Sequence, residues 1–261
     1  MKFKKFFLTF FVCLLIGYIG TNIYYFLHKK YHEKRILVIM SSYKRPLLLT
    51  GQIIRLANQT YKNFDISISI KGAPKEWVEK TFMQEWQDLI NSGKLRVRFD
   101  ENKDQLANLL DPLRDIDISQ YDFFCKIDDD DWYAPTYLEE VNEWLNKEDN
   151  IILSHSRKAT LLRNGDNQVN MYFNSSDLSG PTMCFSRTLI NVALQIEKNP
   201  AALEPNISAQ YITQRKNRNE DALLHKISTM FGKNQHRDTS PYNIIYGQQY
   251  PSVIRGGGYL K

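Results

Sequence analysis

Short apolar runs of strand length alternate along the chain with longer segments whose apolar residues follow helical spacing. Ile36–Met40 is a continuous apolar run, typical of a strand buried on both faces of a parallel sheet. Asp65–Ile70 alternates polar and apolar residues, and Leu95–Phe99 predicts a third strand. Asp122–Ile127 predicts a fourth. This alternation favours an α/β fold with a doubly wound, mostly parallel sheet flanked by helices.

The segments between these strands carry helix signals. Pro46 suits the first turn of a helix after the first strand. We predict a second helix over residues 74–90, a polar helical stretch after the third strand, and a helix over Tyr137–Leu145. Each strand is therefore followed by a helix, as a doubly wound sheet requires.

The second half of the chain has a weaker pattern. Ile151–Ser154 and Thr182–Phe185 predict strands, and Ser186–Ile196 predicts a helix. Between Ser156 and Ser179 the composition turns polar, and the stretches 164–167 (NGDN) and 174–177 (NSSD) predict turns. The tail from His236 to Lys261 is expected to have little regular structure.

The N-terminal segment Phe6–Leu27 carries no charged residue and is rich in Phe, Leu, Ile and Tyr. Crossing a bilayer core takes about 20 apolar residues, which this segment supplies. Its length and the lack of an A-x-A site argue against a cleaved signal peptide. We therefore expect a single uncleaved transmembrane helix within residues 1–35. Lysines on both flanks leave the orientation open.

Composition narrows the class of protein. The chain has 261 residues, 43% of them hydrophobic and 24% charged, enough for one large α/β domain or two small ones. The net charge of +5 comes without a long basic run, so no nucleic acid is expected as a partner. The cysteines, Cys13, Cys125 and Cys184, are odd in number and widely spaced. This pattern favours reduced, buried thiols over a disulfide framework or a zinc site.

The candidate chemistry lies in Asp128–Asp131, directly after the fourth strand. Four adjacent carboxylates repel one another, so a fold keeps them together when something positive sits there. Oxygen ligands at this density suit Mg²⁺ or Mn²⁺, which is commonly held by one or two carboxylates and substrate phosphates. Open α/β sheets bind ligands at the carboxyl ends of their strands. The pattern favours a metal–phosphate site over the alternative, a solvated acidic turn.

Three stretches resemble the GT-A fold glycosyltransferases, specifically the inverting family 2. They are SSYKRP (41–46) followed by LANQTYKNFDISI (56–68), KIDDDDWYAPTYL (126–138) and NEDALLHKI (219–227). The resemblance implies a GT-A domain over residues 36–261, with a nucleotide-sugar half (36–150) and an acceptor half (151–261). The chain departs from the family at Ile70–Ala73, where many relatives have D-D-G-S, and at Leu106–Asn108, where many have A-R-N-x-G. It therefore resembles a divergent member.

The resemblance implies transfer of a sugar from a nucleotide-diphosphate donor to a glycan or glycolipid hydroxyl, with Mn²⁺ or Mg²⁺ and inversion. By position, Asp128 and Asp130 would be metal ligands and Asp131 would support them. His236 would add a ligand, although a surface histidine is the alternative. Asp129 is expected to point away, because alternate positions of an extended chain face opposite sides, and Asp129→Ala to be milder than Asp130→Ala.

Asp221 matches the position of the family's catalytic base. The alternative is helix capping, since Asn219 is a good N-cap and acids in a first helical turn complement the helix dipole. The candidate nucleotide-binding residues are those after strands one, two and four: Ser41, Tyr43, Arg45, Lys71 and Asp128.

Two other functions stay open. A nucleotidyltransferase also uses an acidic metal site beside a parallel sheet, but predicts a Gly-rich, Lys-bearing loop after strand one, and SSYKRP has no glycine. A membrane-tethered carbohydrate-binding protein with a decayed GT-A fold would explain the absent strand-two acids. For a glycosyltransferase, the catalytic domain would face the cytosol in a bacterium and the Golgi lumen in a eukaryote.

Overall fold

The structure of the chain is a computed structural model. The described residues are 15–24, 33–43, 45–99, 110–147, 153–155, 158–163, 169–174, 183–199, 227 and 244–246. Asp221, His236 and Cys13 lie outside them, as does the predicted helix around Asp221 apart from Ile227, which is helical. The chain divides into two compact units, Met1–Lys34 and Arg35–Lys261.

In the first unit, residues 15–24 form a helix, α1. Its apolar side chains are exposed, with Leu15, Ile16 and Tyr18 at 60% or more. Among the residues that the structure describes, no helix has the length and hydropathy needed to cross a membrane. The remainder of the predicted Phe6–Leu27 span lies outside the described residues, and the membrane anchor stays a prediction.

The second unit is built on a six-stranded sheet of order β3-β2-β1-β4-β9-β6. Its parallel part consists of β1 (Ile36–Tyr43), β2 (Phe64–Lys71), β3 (Leu95–Phe99) and β4 (Phe123–Lys126). Residues on alternate sides of β1 belong to two hydrophobic clusters, one on each face of the sheet. A strand buried on both faces must be apolar throughout, which is why the sequence of β1 is a continuous apolar run. The predicted α/β class and mostly parallel sheet are confirmed.

Two antiparallel pairings complete this sheet. Strand β9 (Met183–Ser186) pairs antiparallel with β4 and with β6 (Leu153–His155). The β4–β9 register sets Cys125 opposite Cys184, with 4.1 Å between their Cα atoms, and the two form a disulfide. The prediction of reduced thiols is wrong for this pair, because the partner of Cys125 is set by tertiary strand pairing across 59 positions. Closing a loop of that length removes unfolded-chain entropy worth about 4 kcal/mol.

A second sheet has the order β5-β10-β7-β8. It contains β5 (Trp132–Tyr133), β7 (Lys158–Arg163), β8 (Val169–Asn174) and β10 (Ile244–Tyr246). Strands β7 and β8 lie in the stretch between Ser156 and Ser179, for which the sequence indicated only polar composition and turns. In the tail, where little regular structure was expected, the described residues are the three of β10. Short strands gain stability from cross-strand pairing, as between β7 and β8, and strand propensity depends on that context.

Helices follow the strands of the main sheet. After β1 comes α2 (Pro46–Ala57). After β2 come α3 (Lys75–Trp77), a π-helical turn (Val78–Phe82), α4 (Met83–Glu85) and α5 (Gln87–Asn91), so the helix predicted over 74–90 is a broken one. Two further helices among the described residues are α6 (Tyr137–Lys147) and α7 (Arg187–Lys198). Ser186 caps α7, because its hydroxyl accepts from the Leu189 N–H at 3.3 Å. Residues 111–113 and 118–120 form 3₁₀ turns before β4.

Candidate functional site

The acidic cluster Asp128–Asp131 lies at the carboxyl end of β4, immediately beside the end of β1. The Ile127 N–H still donates to the Ile39 carbonyl at 3.1 Å, so the cluster begins where the β1–β4 ladder stops. The chain places β2 and β3 on one side of β1 and β4 on the other. Such a reversal of strand order opens a crevice at the carboxyl ends of the strands, where α/β sheets bind ligands.

Three of the four aspartates converge. Asp128, Asp130 and Asp131 each offer one carboxylate oxygen, and these oxygens all lie within 4.8 Å of one another. Asp131 is buried, whereas Asp128 and Asp130 are half-buried. Three hard oxygen donors fit the requirements of Mg²⁺ or Mn²⁺ and leave coordination positions for phosphate oxygens. The residues present therefore fit a divalent ion.

Asp129 stands apart from this group. Its carboxylate is buried and accepts hydrogen bonds from the Ser42 hydroxyl at 2.5 Å and from Arg45 Nη1 at 3.0 Å. Burial raises the pKa of Asp129 to about 7, and Asp130 and Asp128 push in the same direction, while Arg45 and Ser42 oppose it. Asp129 lies outside the group of three, as expected, but Asp131 lies within it and residues 129–130 form a turn, so alternation along an extended chain is not the reason. The expected mildness of Asp129→Ala stays a prediction.

Arg45 supplies positive charge to the cluster. One nitrogen, Nη1, lies 3.0 Å from Asp129 Oδ1 and 2.7 Å from Asp130 Oδ2. Partial burial lowers the pKa of Arg45, but the two carboxylates outweigh it and hold the pKa above its usual value. At the other end of the cluster, Lys126 Nζ lies 3.5 Å from Asp128 Oδ1. The sequence placed Arg45 at this site as a nucleotide contact and did not foresee these ion pairs.

Tyr133 supports the acidic turn from inside the protein. Its hydroxyl accepts a hydrogen bond from the Asp128 N–H at 3.1 Å, and its ring packs edge-on against Tyr137, with 5.0 Å between centroids. Burial raises the pKa of Tyr133 well above its usual value, and Asp131 and Asp128 add to the effect. The phenol therefore stays neutral beside the carboxylates. An aromatic residue after the cluster was the only sequence signal for this role.

Gln59 fixes the exit from the turn. Its Nε2 donates to the Ala134 carbonyl at 2.7 Å, and its Oε1 accepts from the Leu138 N–H at 3.0 Å. The neighbouring Thr60 N–H donates to the Pro135 carbonyl at 2.8 Å. These bonds hold the start of α6 against the loop after α2. The sequence signal for these hydrogen bonds was the Q-T-Y stretch at residues 59–61, which belongs to the resemblance to GT-A glycosyltransferases. No role was assigned to it from the sequence.

The other nucleotide-binding candidates lie at the ends of β1 and β2. Ser41 is half-buried and Tyr43 is exposed, and they pair in register with Ser69 and Lys71. Lys71 is buried, and its ammonium donates to the Asp111 carboxylate at 2.5 Å. A nucleotide contact by Lys71 would require this ion pair to open, and the assignment stays a prediction.

Asp111 itself was missed by the sequence reasoning. It is fully buried and receives Lys71 on one oxygen, while Arg114 Nη2 lies 3.0 Å from the other. Asp111 becomes the partner of Lys71 only when the 111–113 turn packs under β2. That packing cannot be predicted from the residues around Asp111.

Two predicted site residues lie outside the described part of the chain. They are Asp221, the candidate base, and His236, the candidate third ligand. Ile227, six residues after Asp221, is described: it is buried in the hydrophobic cluster that contains Leu37 and Ile39 of β1. The roles of Asp221 and His236 stay predictions.

Comparisons with known proteins bear on the fold. No protein-family model matches the sequence, and no curated protein matches it. Solved structures do match. TarS 1–349 from S. aureus has a TM-score of 0.55 at 12% identity, covering 82% of this chain and 60% of that one. The same fragment has been solved in complex with UDP-GlcNAc.

Two further matches have different activities in their names. The mannosyltransferase PcManGT from Pyrobaculum calidifontis, in complex with GDP-Man and Mn²⁺, has a TM-score of 0.54 at 13% identity, covering 92% of this chain and 68% of that one. The 4-diphosphocytidyl-2C-methyl-D-erythritol synthase from Anaerococcus prevotii has a TM-score of 0.50 at 10% identity, covering 86% of this chain and 95% of that one.

These likenesses concern the fold. TarS and the mannosyltransferase are GT-A proteins, and the predicted GT-A fold is confirmed. The chain spans about 60% of the length of the TarS fragment that it matches.

Proposed function

Starting from the GT-A fold, we propose that this chain is a glycosyltransferase that moves a sugar from a nucleotide-diphosphate donor to a glycan or glycolipid hydroxyl. The observation that carries the proposal is the group of three carboxylate oxygens within 4.8 Å at the carboxyl edge of the sheet. A carbohydrate-binding protein without catalysis would not need both this group and Asp221. Transfer from a diphosphate donor does need the group, because negative charge develops on the departing diphosphate.

Asp128 and Asp130, with Asp131 beside them, would hold Mn²⁺ or Mg²⁺, and His236 is proposed as an additional ligand. A bound divalent ion would supply Lewis-acid stabilisation of the leaving diphosphate. The protein's own part is to fix these oxygens. Tyr133 holds the Asp128 backbone, and Gln59 holds the end of the turn. Such a preorganised arrangement needs no costly rearrangement during the reaction.

Asp221 is proposed as the general base that takes the proton from the acceptor hydroxyl. In an inverting displacement the acceptor attacks from the face opposite the leaving group, so the base must lie across the sugar from the metal-binding aspartates. A carboxylate within hydrogen-bond reach of the hydroxyl can perform this transfer.

The donor is proposed to be a nucleotide-diphosphate sugar, in line with the UDP-GlcNAc and GDP-Man bound by the two structural neighbours. Ser41, Tyr43 and Arg45 are the proposed nucleotide contacts from the β1 side, with Asp128 facing the ribose. Lys71 would join them once its pair with Asp111 opens. The Ile70–Ala73 stretch lacks the family's acids, so we propose no particular base.

Donor hydrolysis tests this function without knowledge of the acceptor. The purified chain is incubated with a panel of UDP- and GDP-sugars, and free nucleoside diphosphate is measured. We expect release that requires Mn²⁺ or Mg²⁺, stops in excess EDTA and returns when the ion is restored. Full release in excess EDTA would count against the metal role of the aspartates. Binding of a donor without any release would favour the carbohydrate-binding alternative.

Nucleotidyl transfer is a second candidate, favoured by the likeness to the diphosphocytidyl synthase. The products separate the two reactions. A nucleotidyltransferase releases pyrophosphate from a nucleoside triphosphate, whereas a glycosyltransferase releases a nucleoside diphosphate from its donor. The glycine-free SSYKRP loop after β1 argues for the glycosyltransferase.

The localisation proposed is a single-pass membrane protein anchored by Phe6–Leu27, with the membrane and a glycan or glycolipid as its partners. Of the two placements of the catalytic domain, cytosolic or Golgi lumenal, the Cys125–Cys184 disulfide favours the lumenal one, since disulfides persist in oxidising compartments.

Deleting residues 1–30 tests the anchor. We expect a detergent-free, folded protein that still hydrolyses its donor, because the first contacts of the second unit begin at Arg35. The Arg35 N–H donates to Asp122 at 2.9 Å, and its guanidinium lies 2.9 Å from the buried Asp65. Circular dichroism and gel filtration are the measurements. A matched deletion of residues 1–35, which removes these contacts, should melt lower. An unfolded 1–30 deletion would show that the N-terminal helix belongs to the core.

A further inference from the structure

We propose, on the basis of the function proposed above, that Arg45 is a movable counter-cation that competes with the divalent ion for Asp130. Arg45 donates to Asp130, one of the three converging carboxylates that would hold the ion. When a divalent ion binds Asp130, the Arg45 guanidinium keeps its hydrogen bond to Asp129. It then donates to the diphosphate of the donor instead of to Asp130.

The contacts of Arg45 show that it is held from two sides. Nη1 is shared between the buried Asp129 at 3.0 Å and the half-buried Asp130 at 2.7 Å. Asp129 is fixed in turn by the Ser42 hydroxyl. The guanidinium thus has one buried acceptor, Asp129, which ion binding would not disturb. Its second acceptor, Asp130, is a carboxylate that the metal site needs.

The charges explain the competition. Asp130 Oδ2 accepts a charge-assisted hydrogen bond from Arg45, and a divalent ion drawn to the same carboxylate would meet a positive guanidinium beside it. Ion and guanidinium repel each other at that distance. Among the described residues, Lys126 faces Asp128 at the other end of the group, but at the longer distance of 3.5 Å. Arg45 is therefore the cation that a metal ion must displace.

The same guanidinium suits the diphosphate. Arginine presents five N–H donors in a planar fork that matches phosphate oxygens, and it stays charged at any working pH. Arg45 is about a quarter exposed, so its fork reaches the crevice while its anchor stays buried. A residue in this position weakens binding of the ion alone and strengthens binding of the ion together with a diphosphate.

The test is a pair of binding measurements on Arg45→Gln in the full chain. Affinity for Mn²⁺ alone is measured by electron paramagnetic resonance of the free ion. Affinity for inorganic pyrophosphate at saturating Mn²⁺ is measured by calorimetry, a probe that does not depend on the nucleotide base. We expect Mn²⁺ to bind roughly 3–10-fold tighter and pyrophosphate roughly 10-fold weaker than in the parent. Arg55→Gln, which removes a charge from α2, the helix that follows Arg45, should change neither.

The outcomes separate this inference from the proposed function. If the parent binds Mn²⁺ and Arg45→Gln binds it equally or less tightly, the competition is overturned while the metal site stands. Unchanged pyrophosphate affinity would overturn the diphosphate contact. If neither protein binds Mn²⁺, the metal site and this inference fall together. Should Arg45→Gln not fold by circular dichroism, Arg45→Lys is used. It keeps the charge without the fork, and it should shift both affinities in the same directions by smaller factors.

Discussion

Asp130→Ala is expected to lower metal-dependent donor hydrolysis by about 10³-fold or more. Lewis-acid stabilisation of a leaving diphosphate is worth several kcal/mol, and each 1.4 kcal/mol is a factor of ten in rate. Asp130 is half-buried and offers one of the three converging oxygens, so its loss removes a ligand and leaves the fold intact. The measurement is the rate of nucleoside diphosphate release across a Mn²⁺ titration, together with a melting curve. We expect a melting temperature close to that of the parent.

Asp129→Ala is the matched control, one residue away. Asp129 lies outside the ligand group, so its removal should cost less in rate. Its removal leaves the buried Ser42 hydroxyl without this acceptor and leaves Arg45 paired with Asp130 alone, at a cost of about 1–3 kcal/mol in the free energy of unfolding. That corresponds to roughly 2–4 °C in melting temperature per kcal/mol for a domain of this size. Equal losses of rate at both positions would contradict the assignment of Asp130 as the ligand.

Asp221→Asn is expected to lower the rate of sugar transfer by roughly 10²–10⁴-fold, the contribution of a positioned general base. Asparagine keeps the size and polarity of the side chain but cannot take the acceptor's proton. Donor affinity should be nearly kept, because the base acts on the acceptor. If Asp221 only complements the helix dipole, its loss costs about 0.3–1 kcal/mol of stability and leaves the transfer rate unchanged.

Glu220→Gln controls for the helix dipole. It removes the neighbouring acid from the same predicted first turn without touching the proposed base. Transfer rates with a working acceptor and melting curves of both variants are the measurements. A mutant Asp221→Asn that transfers normally but melts much lower would make Asp221 structural, and the base would then have to be sought elsewhere in the chain.

Patterns that depend on local burial were predictable from the sequence. The continuous apolar run of β1 and the alternation of β2 identified buried strands, and β3 was predicted at its observed bounds, Leu95–Phe99. The position of the acidic cluster after β4 followed from the same reasoning. In each case the signal lies in neighbouring residues, because burial on a sheet imposes its period on the local sequence.

What depends on distant partners was not predictable. The disulfide requires β9 to insert beside β4, and the Lys71–Asp111 pair requires the 111–113 turn to pack under β2. The strands β7, β8 and β10 are only three to six residues long, and their pairing joins residues that are distant in the sequence. The bridging of Asp129 and Asp130 by Arg45 likewise joins residues 84 and 85 positions apart.

The Cys125–Cys184 bond gives the chain a second covalent path around the acidic turn. Everything between the two cysteines lies on this covalent ring, including Asp128–Asp131, α6 and three strands of the second sheet. A protease that cuts one peptide bond within the ring leaves both pieces joined. Such a nicked molecule would run as a single band on a non-reducing gel and as two bands after reduction. Its acidic turn would remain tethered to the sheet through β4 or β9, whichever side of the turn the cut fell on.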